Sequence, residues 1–206
     1  MDTSSLVLAG GQGLRFGQNK ILETVGKRSL LEQVVACVSS ISKETIVVVA
    51  GERTVPNLSS LPVPRIVADI LPGKGPMGGI YTGLMVSSND YNLVVAGDMP
   101  FLNPRLLRYM IDQAPDYDVV IPRLDGGMVE PLHAVYARRC LSYIEKMLEE
   151  DNLSVHRLLT ALKVRYLEAA EIDAFDPQHL SFFNVNTKAD LARARQLTAE
   201  NNYDKR

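Results

Sequence analysis

The chain has 206 residues, of which 46% are hydrophobic and 22% charged, an ordinary globular composition that excludes disorder for its body and supplies ample core. Lys plus Arg number 22 against 24 Asp plus Glu, giving a formal charge of −2 with no basic block, so the footprint of a nucleic-acid binder is missing. The longest apolar stretches, Ile46 to Ala50 and Leu93 to Ala96, fall far short of the ~20 residues of a membrane span.

At roughly 150 residues per domain, the length predicts a single domain over 1–206, with 201–206 a frayed polar tail. Met1 to Ser5 has neither the cationic segment nor the apolar run of a secretory signal, so a cytoplasmic protein with no membrane partner is expected. Short β-branched runs alternate with amphipathic stretches, the pattern of βαβ units. The predicted class is α/β: a three-layer, Rossmann-like, open and mostly parallel sheet with helices on both faces.

In chain order, strands are predicted at Ser5 to Ala9, Thr45 to Ala50, Arg65 to Ala68, Leu93 to Gly97, Asp118 to Ile121, Leu132 to Tyr136, Val164 to Glu168 and Phe182 to Val185. Leu30, Leu31, Val34, Val35, Val38 and Ile41 repeat at helical spacing behind Ser29, and Glu32 completes a capping box. Asn103-Pro104 opens a second helix, and Thr187 with Asp190 opens the last. Cys37 and Cys140 fall in helical patterns and read as small buried hydrophobes. His133, His156 and His179 are scattered, without zinc-site spacing.

Gly and Pro concentrate at Gly10 to Gly17, Pro72 to Gly79 and Gly97 to Pro100, each beside a predicted strand or helix end. In open α/β sheets ligands bind at the C-terminal strand ends, so these segments are expected to share one crevice. Leu6-Val7-Leu8-Ala9-Gly10-Gly11-Gln12-Gly13-Leu14-Arg15-Phe16-Gly17-Gln18-Asn19-Lys20 is a strand running into a glycine-rich, cation-tipped loop. Glycine lets backbone N–H groups approach phosphate while Arg15 and Lys20 supply countercharge; the alternative is a plain strand-to-helix turn with two solvated cations. After Gly11 and Gly13 the next glycine, Gly17, comes one residue too late for a dinucleotide fingerprint. No Gly-Lys-Ser or Gly-Lys-Thr follows, which disfavours a P-loop.

Asp98 lies just past a predicted strand and before Met99-Pro100, placing a carboxylate at the crevice mouth. Magnesium takes one or two carboxylates plus substrate phosphates and water, so Asp98 is the metal candidate, with a turn cap as the alternative. Asp69 could position ribose or base, or cap its own turn.

Leu8-Ala9-Gly10-Gly11 with Arg15-Phe16-Gly17 and Lys20 resembles the signature of the molybdenum cofactor guanylyltransferase family of nucleotidyltransferases. The likeness continues in order through Ala68-Asp69, Gly75 to Ile80, Gly97-Asp98-Met99-Pro100-Phe101, Pro131 to Tyr136 and Asn184 to Thr187, about residues 5 to 195. Asn19 stands where the family usually has Asp, and Gly51 where some members carry Asn. The resemblance implies the nucleotide-diphospho-sugar transferase-like fold and transfer of GMP from GTP to the phosphate of molybdopterin, with pyrophosphate released and Mg2+ required. It implies a nucleotide site from Leu8, Ala9, Gly10, Gly11, Gly13, Lys20, Asp69, Gly78 and Asp98, with Arg15, Lys20 and Asp98 in the chemistry. Pro131, Asn184 and Asn186 fall on the pterin side, where amides could meet a pterin ring or simply start the last helix.

A molybdoenzyme or cofactor chaperone is the implied recipient of the product. Two alternatives stand beside this reading: a nucleotidyltransferase of the same fold and mechanism that uses CTP or a sugar phosphate, and a noncatalytic nucleotide-binding protein that delivers the cofactor. Gly10-Gly11 and Gly75 to Gly79 favour the guanylyl type by resemblance, and the retained Lys20 and Asp98 favour an enzyme.

Overall fold

A computed structural model describes residues 1–10, 20–50 and 64–201 of the chain. In order, the elements are β1 (Thr3–Leu8), β2 (Thr24–Val25), β3 (Arg28–Ser29), α1 (Leu30–Ser39), β4 (Glu44–Val49) and β5 (Arg65–Ala68). There follow α2 (Gly75–Val86), β6 (Tyr91–Ala96), α3 (Pro104–Asp112), β7 (Val119–Pro122), β8 (His133–Ala137), α4 (Leu141–Glu149) and α5 (Val155–Thr160). The chain closes with β9 (Val164–Leu167), α6 (Ala169–Asp173) and α7 (Lys188–Asn201).

Among the described residues, seven strands form one sheet in the order β5-β4-β1-β6-β8-β7-β9. β8 alone among them runs antiparallel to its neighbours. Its residues are buried on both sides because apolar side chains of alternate parity feed two separate cores. Val7, Val47, Leu93, Val95 and Val135 pack with α1 and α3 on one face. Leu6, Ile46, Val48, Val94 and Tyr136 pack with α2, α4 and α5 on the other. A third cluster joins Val25, Leu30, Phe101, Val185 and Leu191, seating α7 on the small β2-β3 hairpin.

The caps read from sequence form as expected. Ser29 Oγ accepts from Glu32 N–H while Glu32 accepts from Ser29 N–H, and Asn103 accepts from Arg105 and Leu106 N–H ahead of Pro104. Thr187 and Asp190 bond reciprocally at the start of α7. Cys37 and Cys140 are free thiols, both pushed up to about 12 by burial, consistent with packing roles.

One predicted strand is corrected. Phe182 to Val185 is not paired in the sheet: a short 3-10 turn at Leu180–Phe182 leads into irregular chain. Its bulky residues are used for packing, Phe182 against His133 (4.6 Å between ring centroids) and Phe183 against Phe101 (5.8 Å). Asn201, assigned from sequence to the frayed tail, is the last residue of α7, and the remainder of that tail lies outside the described residues. No helix among the described residues is long and apolar enough to cross a membrane.

Candidate functional site

The sheet reverses its winding between β1 and β6. From β1 the chain moves outward through β4 to β5, then returns to pair β6 on the other side of β1. At such a switch point the C-terminal strand ends diverge and leave a crevice. Gly97 N–H donates to Leu8 O (3.0 Å), which clamps the exits of the two strands together. Gly10 and Asp98 therefore leave the sheet side by side.

Gly10 has a steric reason to lack a side chain, because a Cβ there would sit 3.2 Å from Ala50 Cβ and 3.3 Å from Ala50 N. The Leu8 and Ala9 side chains are buried in the two cores, so these residues can offer a ligand only backbone. Gly11, Gly13 and Arg15 lie outside the described residues.

Lys20, at the far end of the glycine loop, returns to the crevice. Its Nζ lies 2.5 Å from Asp98 Oδ2 and donates to Asn186 Oδ1 at 2.9 Å. Both side chains of the ion pair are mostly shielded, Lys20 at 22% and Asp98 at 13% exposure. Three residues drawn from the start, middle and end of the chain thus meet at one point. The third is placed by backbone: Val185 N–H donates to Asp98 O (3.0 Å), and Asn186 N–H is held by Asp190 Oδ2 (3.0 Å). Asn186 therefore stands just before the last helix and also faces Lys20.

Among the described residues, the Asn184 side chain donates to Phe182 O (3.3 Å). Pro131 lies in the turn before β8, where its carbonyl accepts from the buried Tyr136 hydroxyl (3.0 Å). That turn borders the crevice because Ala96 N–H donates to Leu132 O (3.1 Å).

The Pro72 to Gly79 segment sits above β5 and leads into α2. Asp69 caps its own turn, accepting from Leu71 N–H (3.0 Å) and the Thr82 hydroxyl (2.8 Å). Gly78 nests against that turn: a Cβ would lie 2.7 Å from Leu71 O and 3.4 Å from Asp69 Oδ2. Gly79 and Gly83 let α2 approach β1, where a Cβ would lie 3.2 Å from Leu8 and 2.6 Å from Leu6 respectively. Within the segment, Gly78 is thus accounted for by its own turn and Gly79 by packing on β1, while Gly73 (φ +88°) and Gly75 (φ +58°) supply left-handed backbone with open space where a side chain would stand.

His133 is fully buried. Burial pulls its imidazole down to about 3, with the Ser181 backbone opposing the shift, and neither ring nitrogen makes a hydrogen bond of good geometry among the described residues. It is a neutral packing group.

No cluster of three or more His, Cys, Asp or Glu residues suited to a metal occurs among the described residues. Asp98, one partly exposed carboxylate with the Asn186 amide oxygen on the same lysine, instead fits a hard cation that brings its other oxygen ligands with it.

Residues 5–166 match the family model described as MobA-like NTP transferase domain. A relative in Pelotomaculum thermopropionicum, named "probable molybdenum cofactor guanylyltransferase", is 35% identical over 201 residues, covering 98% of this chain and 95% of its own. The crystal structure of molybdopterin-guanine dinucleotide biosynthesis protein A from Archaeoglobus fulgidus superposes with a TM-score of 0.81 at 30% identity, covering 96% of this chain and 99% of that one. The 2-C-methyl-D-erythritol 4-phosphate cytidylyltransferase of Thermus thermophilus shares the fold at 20% identity, with a TM-score of 0.69 over 97% of this chain and all of that one.

Proposed function

The chain belongs to the MobA-like NTP transferase family, and on that premise we propose that it transfers GMP from GTP to the terminal phosphate of molybdopterin, releasing pyrophosphate. The observation that carries the reading is the meeting of Lys20, Asp98 and Asn186 at the β1/β6 switch point.

An oxygen of the acceptor phosphate attacks the α-phosphorus of GTP, and the bond from that phosphorus to the β-phosphate oxygen breaks. The attacking group is already an anion, so no strong general base is needed. The protein has to hold two mutually repelling anions in line and offset the charge that shifts to the leaving group. Lys20 uses two of its three N–H directions on Asp98 and Asn186, leaving one for a phosphate oxygen. Asp98 fixes that ammonium at the crevice and presents carboxylate oxygen to Mg2+, which when bound with the triphosphate supplies further charge neutralisation. The Gly10 to Gly13 backbone and Arg15 complete the phosphate side, Asp69 and Gly78 border the nucleoside, and Pro131, Asn184 and Asn186 border the pterin. The recipient of the product is a molybdoenzyme or a cofactor chaperone.

Incubation with molybdopterin, Mg2+ and α-labelled GTP or CTP tests this. Labelled dinucleotide and stoichiometric pyrophosphate are expected from GTP, with CTP at least about tenfold poorer. Preference for CTP, or nucleotide binding with no pyrophosphate release, would overturn the reading.

A further inference from the structure

One carboxyl beside the crevice has no task in the scheme above. Val120 pairs with Val135 across β7 and β8, and Arg123 bridges Val129 further along. Three steps on one strand therefore face six on the other, so Glu130, Pro131 and Leu132 form an outward bulge. Its anchors are Glu130 N–H to Pro122 O (3.4 Å), His133 N–H to Glu130 O (3.1 Å) and Ala96 N–H to Leu132 O (3.1 Å). The last bond fastens the bulge to the end of β6, two residues before Asp98. Bulges are over-represented next to active sites, where they re-aim a side chain.

The Glu130 side chain is half-buried and makes no hydrogen bond or ion pair among the described residues. Burial alone raises its carboxyl above the usual range. Glu44, Asp118 and Glu171, by contrast, are each held below their usual values by hydroxyl, backbone or guanidinium partners. A shielded carboxylate with open lone pairs is an acceptor waiting for a donor. The bulge flanks β6 on the side opposite β1, and with the nucleotide assigned to the β1 side under the proposed function, that position falls to the acceptor.

We propose that Glu130 is a specificity-determining residue for the acceptor, taking the paired N–H donors on the 2-amino-4-oxo-pyrimidine edge of a pterin through its two carboxylate oxygens. The inference rests on the acceptor named under the proposed function. Guanine carries the same edge, so the test has to separate the two substrates.

Glu130→Gln keeps the volume and replaces one acceptor oxygen with a donor. Fluorescence titrations of wild type and this variant with 6-hydroxymethylpterin and 6-hydroxymethyllumazine, which lacks the 2-amino group, read the contact without turnover. Wild type is expected to bind the pterin about tenfold more tightly than the lumazine, and the variant to lose that preference. In transfer assays KM for molybdopterin should rise about tenfold while KM for GTP stays within about twofold. The same pterin preference in both proteins, no pterin binding by wild type, or a change confined to KM for GTP would overturn the proposal. Failure of the broader reading looks different: wild type would transfer nothing from GTP to molybdopterin.

Discussion

The two ends of β1 and β6 treat polar side chains in opposite ways. At the N-terminal end they close on one another. Ser4 donates to Glu44 (2.6 Å), the Ser87 hydroxyl lies within hydrogen-bond reach of Ser4 and Asn92, and Asn89 donates to Ser4 (2.9 Å). Glu44 also accepts from Ser88 N–H (2.9 Å), and Arg138 donates to Ser87 O (2.6 Å). At the C-terminal end the set stays open: Lys20 keeps one N–H direction spare, and Glu130 has no partner among the described residues. Residue type does not distinguish the two ends, since both carry carboxylates and amides. Completeness of hydrogen bonding does, because a closed network fixes where strands begin and an open one retains capacity for a ligand.

The largest effect should come from the open end. Asp98→Ala and Lys20→Ala are each expected to lower GMP transfer by about 10²–10³-fold, the scale of losing one preorganised electrostatic partner in a shielded site. Both proteins should still unfold in one cooperative transition, because the pair stands at the crevice and outside the two cores. Turnover by either variant close to wild type would show that the open end is not where the chemistry happens.

The next effect concerns His133, which sits near the open end yet belongs to the core. Its folded-state value, about 3, lies below the ordinary 6.5, so the unfolded chain takes up the proton first as pH falls. Stability from the neutral ring is complete above about pH 6.5 and is lost as pH drops from there toward 3, at roughly 1.4 kcal/mol per pH unit within that window. Urea titrations at several pH values should therefore show wild type losing stability more steeply than His133→Leu between pH 6.5 and 4.5, by about 2 kcal/mol in total. Parallel curves would mean that the ring already finds a proton partner in the fold.

Much of this was legible in the sequence where one local rule decides. The central strands are continuous β-branched runs, and the caps at Ser29, Asn103 and Thr187 are chemistry within four residues, so both appear where expected. Phe182 to Val185 misled because strand propensity cannot say whether a partner edge exists; here the aromatic rings pack and Val185 N–H goes to Asp98 O. The β2-β3 hairpin has two-residue strands, too short for alternation to register. At the site, Lys20 and Asp98 stand out through the glycine loop and the strand exit. The link from Lys20 to Asn186 spans 166 residues, and no spacing encodes it. Glu130 escaped notice because its signal is a missing partner, which only folded geometry reveals.

The smallest effect belongs to the closed end and is the sharpest check on the comparison. Ser87→Ala removes one oxygen with little change in volume, leaving Asn92 Oδ1 and the Asn89 N–H without the hydroxyl they share. Ser87 and Asn92 are both buried, so water cannot readily replace the lost partner, and the expected cost is about 1–2 kcal/mol of unfolding free energy. The network stands at the N-terminal ends of strands whose C-terminal ends carry the crevice, joined to it through the length of β1 and β6. If closed networks only locate strands, GMP transfer per folded molecule should remain within about twofold of wild type, because a rigid sheet transmits no change in strand spacing from one missing hydroxyl. A larger fall in kcat with unchanged stability would mean that the polar groups beneath the sheet tune the site above it, and the contrast between the ends would have to be abandoned.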